Sequence, residues 1–337
     1  MKPIFRRAVV QGSAIALAAP LVARYAHAAQ VSWRFGHVAP ESTPLHLRLL
    51  EAAEAIGKRS EGRMELKVLG EGKAGNQSGL LGQVRKGGLE MTAANGALLG
   101  PVMSLAMVPT LGFLFGDYAS VWPAMDGELG AAVRAQIPAQ VGVEALEKIW
   151  DFGFRQITTS SRPIRTAADL AGMKIRTQID VDQMDMFRAL QALPVAITLP
   201  FLRTALQRNQ IDGQEGMLPM VEFARLNEVQ AYCSMTNHVW DGFWICINTA
   251  SWKKLPERLQ GIVANTLNGI APKQREDNAK AENRVRESLA RTGMKFSDVD
   301  VASFRNALRQ SGYYAGLKAK LGEPVWKTIE KTTGIRA

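Results

Sequence analysis

The chain has 337 residues, of which 47% are hydrophobic and 21% are charged. This length and composition allow a well-buried core and two domains of ordinary size, and they exclude an intrinsically disordered chain. The formal net charge is +10. Because the basic residues are interleaved with acidic ones and form no long basic run, nucleic acid is a poor candidate for a partner.

The first 28 residues have the three parts of an export signal. A positively charged start precedes a largely apolar run from Ala8 to Val22, and an A-x-A cleavage site follows at Ala26-His27-Ala28. The apolar run is shorter than the roughly 20 residues that a membrane-spanning helix needs. We therefore expect residues 1–28 to be removed on export, by either the general or the twin-arginine route.

The chain has two cysteines, Cys233 and Cys246, and four histidines. Both cysteines lie in apolar, strand-like runs, which favours two buried free thiols over a disulfide. The histidines lack the spacing of metal ligands. The sequence therefore predicts no metal site and no cofactor.

Strand-like and helical segments alternate along the chain, which predicts an α/β fold. The long polar helix near the end of the chain contains Pro272, which we expect to kink or interrupt it. In chain order the main predicted elements are a strand at Val31–Val38, a helix from Pro44, a strand at Met64–Leu69, a helix at Ser78–Lys86, a strand at Leu89–Asn95, helical residues 117–137, strands at Ala145–Asp151 and Met173–Thr177, a helix at Val181–Ala192, strands at Ile211–Glu215 and Phe243–Asn248, and a helix at Glu257–Arg291.

A glycine-rich motif, Gly70–Gly75, matches the dinucleotide-binding pattern G-x-G-x-x-G. It follows a predicted strand and precedes a predicted helix, and Glu90 lies twenty residues after the first glycine. However, it follows the second strand of the chain, and an exported protein rarely meets free nicotinamide cofactor. An exported nicotinamide-dependent oxidoreductase is therefore the alternative function, not the preferred one.

Arginines mark the middle of the chain. Arg176 lies in a short Gly-bounded strand, which we expect to be central, and Arg155 lies in the preceding cationic segment. A guanidinium group pairs bidentately with a carboxylate. The pattern by itself nevertheless favours a water-exposed arginine at a strand edge, because exposed arginines are common.

Four stretches in this region carry a family resemblance: FRQITTSSRPIRTAADLAGMKIRT, DMFRAL, LPFLRTALQRNQIDGQE and EVQAYCSMTNHVWD. Together they resemble the solute-binding subunits of tripartite ATP-independent periplasmic (TRAP) transporters, dicarboxylate type. The resemblance implies a periplasmic, two-lobed α/β binding protein with discontinuous domains and a long hinge-spanning helix. It implies no enzymatic activity. We expect a monomer that delivers an organic acid to a TRAP membrane permease driven by an ion gradient.

The resemblance also implies domain boundaries and ligand contacts. Lobe I would comprise residues 29–152 and 242–280, and lobe II residues 153–241 and 281–337. Arg176 would take the ligand carboxylate, with Arg155 on its other oxygen or on a neighbouring hydroxyl. The remaining residues that the family places near the ligand are Asn95, Phe201 and His37, whose structural alternatives are a turn amide, a core aromatic residue and a satisfied strand histidine.

The aromatic residues Trp150, Trp240, Phe243 and Trp244 bracket the predicted crossings between the lobes, and we expect some of them to face the pocket. Gly216 stands where the family usually has an asparagine whose amide contacts the ligand. This departure removes a polar contact and adds room. The sequence therefore favours a monocarboxylate with a bulky apolar or aromatic body over a sugar acid.

Overall fold

The computed structural model describes residues 30–178 and 181–337, so the predicted export signal lies outside the described residues. Among the described residues, no helix is both long and apolar enough to cross a membrane. These residues form an α/β fold with ten strands in one mixed sheet. The strands are β1 Val31–Gly36, β2 Met64–Leu69, β3 Met91–Ala94, β4 Val143–Ala145, β5 Trp150–Thr159, β6 Lys174–Thr177, β7 Leu193–Ala196, β8 Gly213–Gly216, β9 Tyr232–Asn248 and β10 Lys295–Asp298.

The strand order is β2-β1-β3-β9-β5-β8-β6-β7, and β4 and β10 also pair with β9. Strands β1 to β3 are parallel to one another, as are β6, β7 and β8. The carboxyl ends of β6, β7 and β8 therefore lie at one edge of the sheet. Strand β6, expected to be central, is second from one end of this order.

The two longest strands, β5 and β9, pair with each other from Trp150 opposite Phe243 to Thr159 opposite Tyr232. The sequence had predicted separate segments here, with one strand ending at Asp151 and another beginning at Phe243. Those boundaries are wrong. Strand β5 continues because β9 pairs with it from end to end, apart from two irregularities, and β9 continues past Phe243 because β3 and β4 pair with its last residues.

Helices cover the sheet. They are α1 Pro44–Arg59, α2 Gln77–Lys86, α3 Gly96–Leu99, α4 Tyr118–Met125, α5 Glu128–Val141, α6 Val181–Ala189, α7 Leu199–Gln207, α8 Leu218–Phe223, α9 Thr249–Lys254, α10 Glu257–Arg291, α11 Val301–Gln310, α12 Tyr313–Leu321 and α13 Glu323–Thr333.

Helix α10 continues for 35 residues through Pro272, so the expected interruption is absent. Its polar second half is also less exposed than the sequence predicts. The Gln274 amide accepts from the Asp151 N–H at 2.8 Å and donates to the Asp151 carbonyl at 2.9 Å, while Arg275 pairs with both carboxylate oxygens of Asp126 at 2.8 Å. These bonds hold the helix on β5 immediately after the proline, where one intrahelical bond is missing.

Three hydrophobic clusters form the core. One joins β1, β2, α1 and the first half of α10. A second joins α7, α8 and the end of α10, and the largest joins α2, α4, α5, β5 and the C-terminal helices α11 to α13. The boundaries expected for the two lobes remain a prediction.

Both cysteines are buried in β9 as free thiols, as the sequence predicts. Cys233 and Cys246 are separated along one extended strand by about 40 Å, at roughly 3.3 Å per residue. A disulfide requires Cα atoms no more than about 7 Å apart. The strand itself therefore prevents the bridge.

Two helical glycines offer a matched test of packing. A Cβ at Gly130 in α5 would lie 1.8 Å from the Met125 carbonyl oxygen, whereas a Cβ at Gly316 in α12 would meet nothing within 4 Å. We expect Gly130→Ala to lower the free energy of unfolding by about 2 kcal/mol or more, because the clash is with backbone. Gly316→Ala should raise it by about 0.5–1 kcal/mol through helix propensity. Urea denaturation of both variants measures these changes, and equal effects would contradict the packing of α5.

Candidate ligand-binding site

A cavity of about 270 Å³ lies at the carboxyl ends of β6 and β7. Open α/β sheets bind ligands at such strand ends. Its polar lining comes from Arg176 and Gln178 of the β6 end. The rest of the lining follows β7 and β8 and is mainly apolar: Ile197, Thr198, Leu199 and Met220.

Arg176 is buried, with 5% of its surface exposed, so the exposed edge arginine that the sequence pattern favours is wrong. Its Nε donates to the Ile197 carbonyl at 2.7 Å, which fixes the guanidinium plane beside the cavity. Burial lowers the pKa of Arg176; the charge of Glu215 opposes this shift and that of Arg155 adds to it. The guanidinium remains a cation, because an arginine starts from a pKa above 12.

Arg155 is held by a carboxylate of the protein. Its Nε and Nη2 donate to the two carboxylate oxygens of Glu215, the latter at 2.8 Å, and both side chains are buried. Burial works to raise the pKa of Glu215, but the charge of Arg155 and bonds from His238 and Arg155 outweigh it, so this pKa lies well below its usual range. The sequence places Glu215 at the end of a predicted strand and does not reveal this partner.

His238 completes this buried group as a neutral imidazole. Burial lowers its pKa by more than Glu215 raises it. Its Nε2 lies 3.4 Å from Glu215 Oε2 and its Nδ1 lies 2.7 Å from Thr236 Oγ1. This arrangement fits a proton on Nε2 that faces the carboxylate, with Nδ1 accepting from the hydroxyl of Thr236.

An irregularity in the β5–β9 ladder brings His238 to this position. Between the pairs Arg155–Val239 and Ile157–Ser234, β5 contributes the single residue Gln156 while β9 contributes residues 235–238. Bulges of this kind redirect side chains next to binding sites. Without the extra residues of β9, His238 would keep the regular alternation of the strand.

Gly216 lies at the end of β8 beside the Arg155 group. A Cβ built there would be 3.1 Å from Gln214 Oε1 and 3.9 Å from Arg155 Nη2. A side chain at this position would therefore lie between an amide and a guanidinium, and Gln214 would have to shift slightly to admit it.

Asn95 and His37 lie on the other part of the sheet, after β3 and β1. Asn95 caps α3 and donates from Nδ2 to Asp241 Oδ2 at 2.6 Å. Burial raises the pKa of Asp241 to about 6, while Asn95, the Gly242 N–H and the charge of Arg155 oppose the shift. Arg155 is thus electrostatically coupled to the aspartate that Asn95 contacts.

His37 has a hydrogen-bond partner at one ring nitrogen, whereas its buried Nδ1 has none among the described residues. Its Nε2 lies 3.0 Å from His46 Nδ1 in a buried pair. Burial and then the neighbouring His46 lower the pKa of His37 to about 4. His37 is therefore neutral at physiological pH and adds no charge to its part of the sheet.

The predicted aromatic residues occupy two kinds of environment. The rings at positions 150, 240, 243 and 244 are all buried, and none of them lines the Arg176 cavity: Trp150 and Phe243 belong to the cluster with β1 and α1, and Trp240 and Trp244 to the largest cluster. By contrast Phe201 is 69% exposed on the first turn of α7, two residues after Leu199 of the cavity. The core role considered for Phe201 is therefore wrong.

The Gly70–Gly75 loop lacks the features of a dinucleotide site. It follows β2, which lies at one end of the sheet, whereas the fingerprint requires the first, inner strand. Lys73 pairs with Glu41, and Glu90 binds the N–H of Arg34 at 2.8 Å and its guanidinium at 3.1 Å. The acidic residue expected to hold a ribose is thus already used within the protein.

Among the described residues, no three potential metal ligands come together.

Sequence reasoning missed most of the cavity lining. Residues 197–199 follow the short strand β7, which the sequence pattern does not show, and Met220 lies on α8 after β8. Two lining residues lie two positions from a predicted contact: Gln178 follows Arg176, and Leu199 precedes Phe201. These residues can be identified as cavity lining by their position directly after neighbouring parallel strands.

Comparison with known proteins places this site in a family. The family model for bacterial extracellular solute-binding proteins, family 7, matches residues 35–314. The 2,3-diketo-L-gulonate-binding periplasmic protein of Escherichia coli K12 is 30% identical over 82% of this chain and 84% of its own length.

Solved structures show the same fold. A TRAP periplasmic solute-binding protein from Ochrobactrum anthropi superimposes with a TM-score of 0.86, at 24% identity over 92% of this chain and 98% of its own. One from Roseobacter denitrificans with bound β-D-glucuronate gives 0.77, at 26% identity over 89% and 99%. The fold is thus the two-lobed one of these proteins, with α10 as its long helix.

The buried Arg155–Glu215 pair should determine stability and its pH dependence. We expect Glu215→Gln to cost about 3–5 kcal/mol at pH 7, because Arg155 loses its buried counter-ion. In the wild type the pKa of Glu215 is lower in the folded than in the unfolded state. The pair's contribution is therefore complete above pH 4.5 and is lost as the pH falls below it.

Chemical denaturation at pH 7 and at pH 3.5 measures both effects. Glu222→Gln on the exposed surface of α8 is the control. An unchanged free energy of unfolding for Glu215→Gln at pH 7 would contradict the buried pair.

Together the cavity, the arginines and the matched relatives identify a periplasmic binding protein, and the chain belongs to the family 7 extracellular solute-binding proteins of TRAP transporters.

Proposed function

We propose that the protein captures a monocarboxylate with a bulky apolar body through Arg176 and delivers it to a TRAP membrane permease. The observation that supports this most directly is the buried guanidinium of Arg176 beside a cavity with a mainly apolar lining. A partly buried guanidinium binds a carboxylate more strongly than an exposed one. The β-D-glucuronate in the Roseobacter denitrificans protein is itself a carboxylate.

The charges around the cavity favour one carboxylate over two. Within the group of Arg155, Arg176, Glu215 and His238, two cations and one anion leave one net positive charge, since His238 is neutral. Asp241, whose pKa is raised to about 6, is a further anion at pH 7 and is bound by Asn95 on the other part of the sheet. A single ligand carboxylate neutralises that positive charge. A second carboxylate would be buried near the site with no cation among the lining residues to compensate it, which is costly.

The lining supports an apolar ligand body. Ile197, Leu199 and Met220 offer no hydrogen-bond donor from their side chains, so the many hydroxyls of a sugar acid would lose water without gaining partners there. Gly216 adds room where the family usually has an amide. In this proposal the exposed ring of Phe201 covers the bound ligand.

The remaining predicted residues act in closure. Asn95 and His37 approach from the other lobe, and Trp150, Trp240, Phe243 and Trp244 form the packed crossing about which the lobes move. Closure is favoured only to the extent that the ligand binds the closed form more tightly. The working unit is a single chain that binds its ligand without changing it chemically, and its closed form is what the permease recognises.

Arg176→Ala should abolish ligand binding. Each hydrogen bond to a charged group contributes about 1.5–3 kcal/mol, so losing a bidentate pair should reduce affinity at least about 100-fold. A thermal-shift screen against aromatic, aliphatic, keto and sugar carboxylates measures this loss. A ligand at one hundred times its dissociation constant adds about 2.7 kcal/mol to the folded state, so a true hit is readily seen.

Arg165→Ala, an arginine with an exposed side chain in the same part of the chain, is the matched control. It should respond to the carboxylate panel like the wild type. A carboxylate that stabilises the wild type and Arg176→Ala equally would refute the role of Arg176. Stabilisation by nicotinamide cofactors alone would instead favour the oxidoreductase alternative.

Gly216→Asn tests the ligand class. The added side chain would fill the space beside Gln214 and Arg155. We expect it to weaken binding of bulky apolar acids about tenfold and to improve binding of hydroxylated sugar acids. Isothermal titration of one acid of each kind with both proteins measures the change, and a parallel loss for both acids would contradict the assignment.

A further inference from the structure

The middle of the β5–β9 ladder lies between two sets of parallel strands. Strand β8 ends with Gly216 opposite Gln156 of β5, and β3 ends with Ala94 opposite Trp244 of β9. Both sets therefore point their carboxyl ends at the part of the ladder between these two pairs, which we call the middle segment. Since open α/β sheets bind ligands at such strand ends, charged residues of the middle segment act on a ligand from either half of the sheet.

Asp241 is a buried anion of the middle segment with no cation beside it. Its Oδ2 accepts from the Asn95 amide at 2.6 Å and its Oδ1 from the Gly242 N–H at 2.9 Å. In the described part of the chain, no cationic group lies within 4 Å of either oxygen. Neutral N–H donors favour the ionised form of the carboxyl group but leave its charge uncompensated. A buried charge without a counter-ion is costly, so a cation that reached Asp241 would be bound well.

Arg176 is the corresponding case of opposite sign. It is buried, and its Nε donates to a neutral acceptor, the Ile197 carbonyl. The strands run in the order β9-β5-β8-β6, so Arg155 and Glu215 lie between Asp241 and Arg176, and these two inner residues form an ion pair. Two cations and two anions leave these four residues with no net charge. What remains uncompensated is a carboxylate at one end of the row and a guanidinium at the other.

We propose that Asp241 selects a ligand with a protonated amine at the end opposite its carboxylate, so that the protein takes an ω-amino acid with an apolar spacer. This inference rests on the proposed function, in which Arg176 holds the carboxylate. Such a zwitterion is neutral overall, as the four residues are, and it brings one charge to each uncompensated charge of the protein. A second carboxylate at the amine end would instead be repelled by Asp241.

The strand order indicates how far apart the two ligand charges should be. Strands β9 and β6 are three strand spacings apart, about 14 Å at roughly 4.8 Å each. The side chains of Asp241 and Arg176 span part of this distance, which favours a spacer of several carbon atoms over an α-amino acid. Burial sets the direction of the pKa shift at both residues, and the charge of Arg155 acts on both as well. The two ends of the row are therefore within electrostatic range of its middle.

Three acids of one chain length test the charge directly. Opposite their first carboxylate, 5-aminovalerate, valerate and glutarate carry a cation, no charge and an anion. We expect the wild type to bind 5-aminovalerate most tightly and glutarate most weakly in isothermal titration. Two further pairs repeat the comparison with a longer and a bulkier spacer: 6-aminohexanoate with hexanoate, and 4-(aminomethyl)benzoate with 4-methylbenzoate. If the acids without an amine bind as tightly as the aminated ones, the inference is overturned.

Asp241→Asn, which keeps the shape of the side chain and removes its charge, should change the two charged acids in opposite directions. It should weaken 5-aminovalerate about 30-fold or more, because a buried charge pair loses one partner. It should strengthen glutarate several-fold, because a like charge is gone. Glu222→Gln, which removes an exposed charge from α8, is the matched control and should keep the wild-type order. Equal losses for both acids in Asp241→Asn would mean that Asp241 is only structural.

Arg176→Ala separates this inference from the proposed function. If acids without an amine bind the wild type but not Arg176→Ala, and the aminated acids bind neither, the proposed function stands and the inference about Asp241 is overturned. If Arg176→Ala leaves the binding of every acid unchanged, both are overturned. Should Asp241→Asn fail to fold, the order of the three acids in the wild type decides alone.

Discussion

The paired strands β5 and β9 are the constraint on which the rest of the structure depends. Because each is long and they pair with each other from Trp150 to Thr159 of β5, strands β3, β4 and β10 can pair with β9, and β8 with β5, in one sheet. Four buried titratable residues lie on these two strands: Arg155 and Asp151 on β5, and His238 and Asp241 on β9. A change in the register of this ladder would therefore displace all four.

The sequence predicts the fold class and most elements well, because alternation and helical periodicity depend on local residues. Its predicted element boundaries are wrong where pairing between distant segments determines how far a strand or helix continues. The predicted strand ends at Asp151, yet β9 pairs with β5 on both sides of this point. Pro272 was expected to interrupt α10, and the helix instead continues with Gln274 and Arg275 bound to β5 and its neighbours.

In the candidate site, too, the sequence predicts what depends on local residues and misses what depends on pairing between distant segments. The sequence finds Arg176 through the family resemblance, but not its burial, since exposure depends on strand order. The ion pair between Glu215 and Arg155 cannot be predicted from the sequence, since the two residues are sixty positions apart and meet only because β5 and β8 are neighbours. Ile197 and Met220 are apolar residues that the sequence alone does not distinguish from core residues. They line the cavity because they follow the carboxyl ends of β7 and β8.

Two charged residues of β5 have opposite surroundings. Arg155 pairs with Glu215 and keeps the pKa of that carboxyl well below its usual range, whereas burial raises the pKa of Asp151 to about 6. Asp151 accepts from Trp240 on β9 and from Asn278 on α10. The same strand thus carries a cation of the candidate site and a carboxyl group that binds the long helix.

The two buried thiols have a practical consequence. Burial raises the pKa of both Cys233 and Cys246 to about 12, so in the folded protein neither is a thiolate that reagents or oxidants attack. Maturation after export consequently needs no oxidising enzyme. Cys233 belongs to the cluster of α7 and α8, and Cys246 to the largest cluster. Each of these two hydrophobic clusters therefore contains one thiol that is unreactive in the folded protein. The order in which the two thiols react with a reagent during unfolding reports which cluster becomes exposed first.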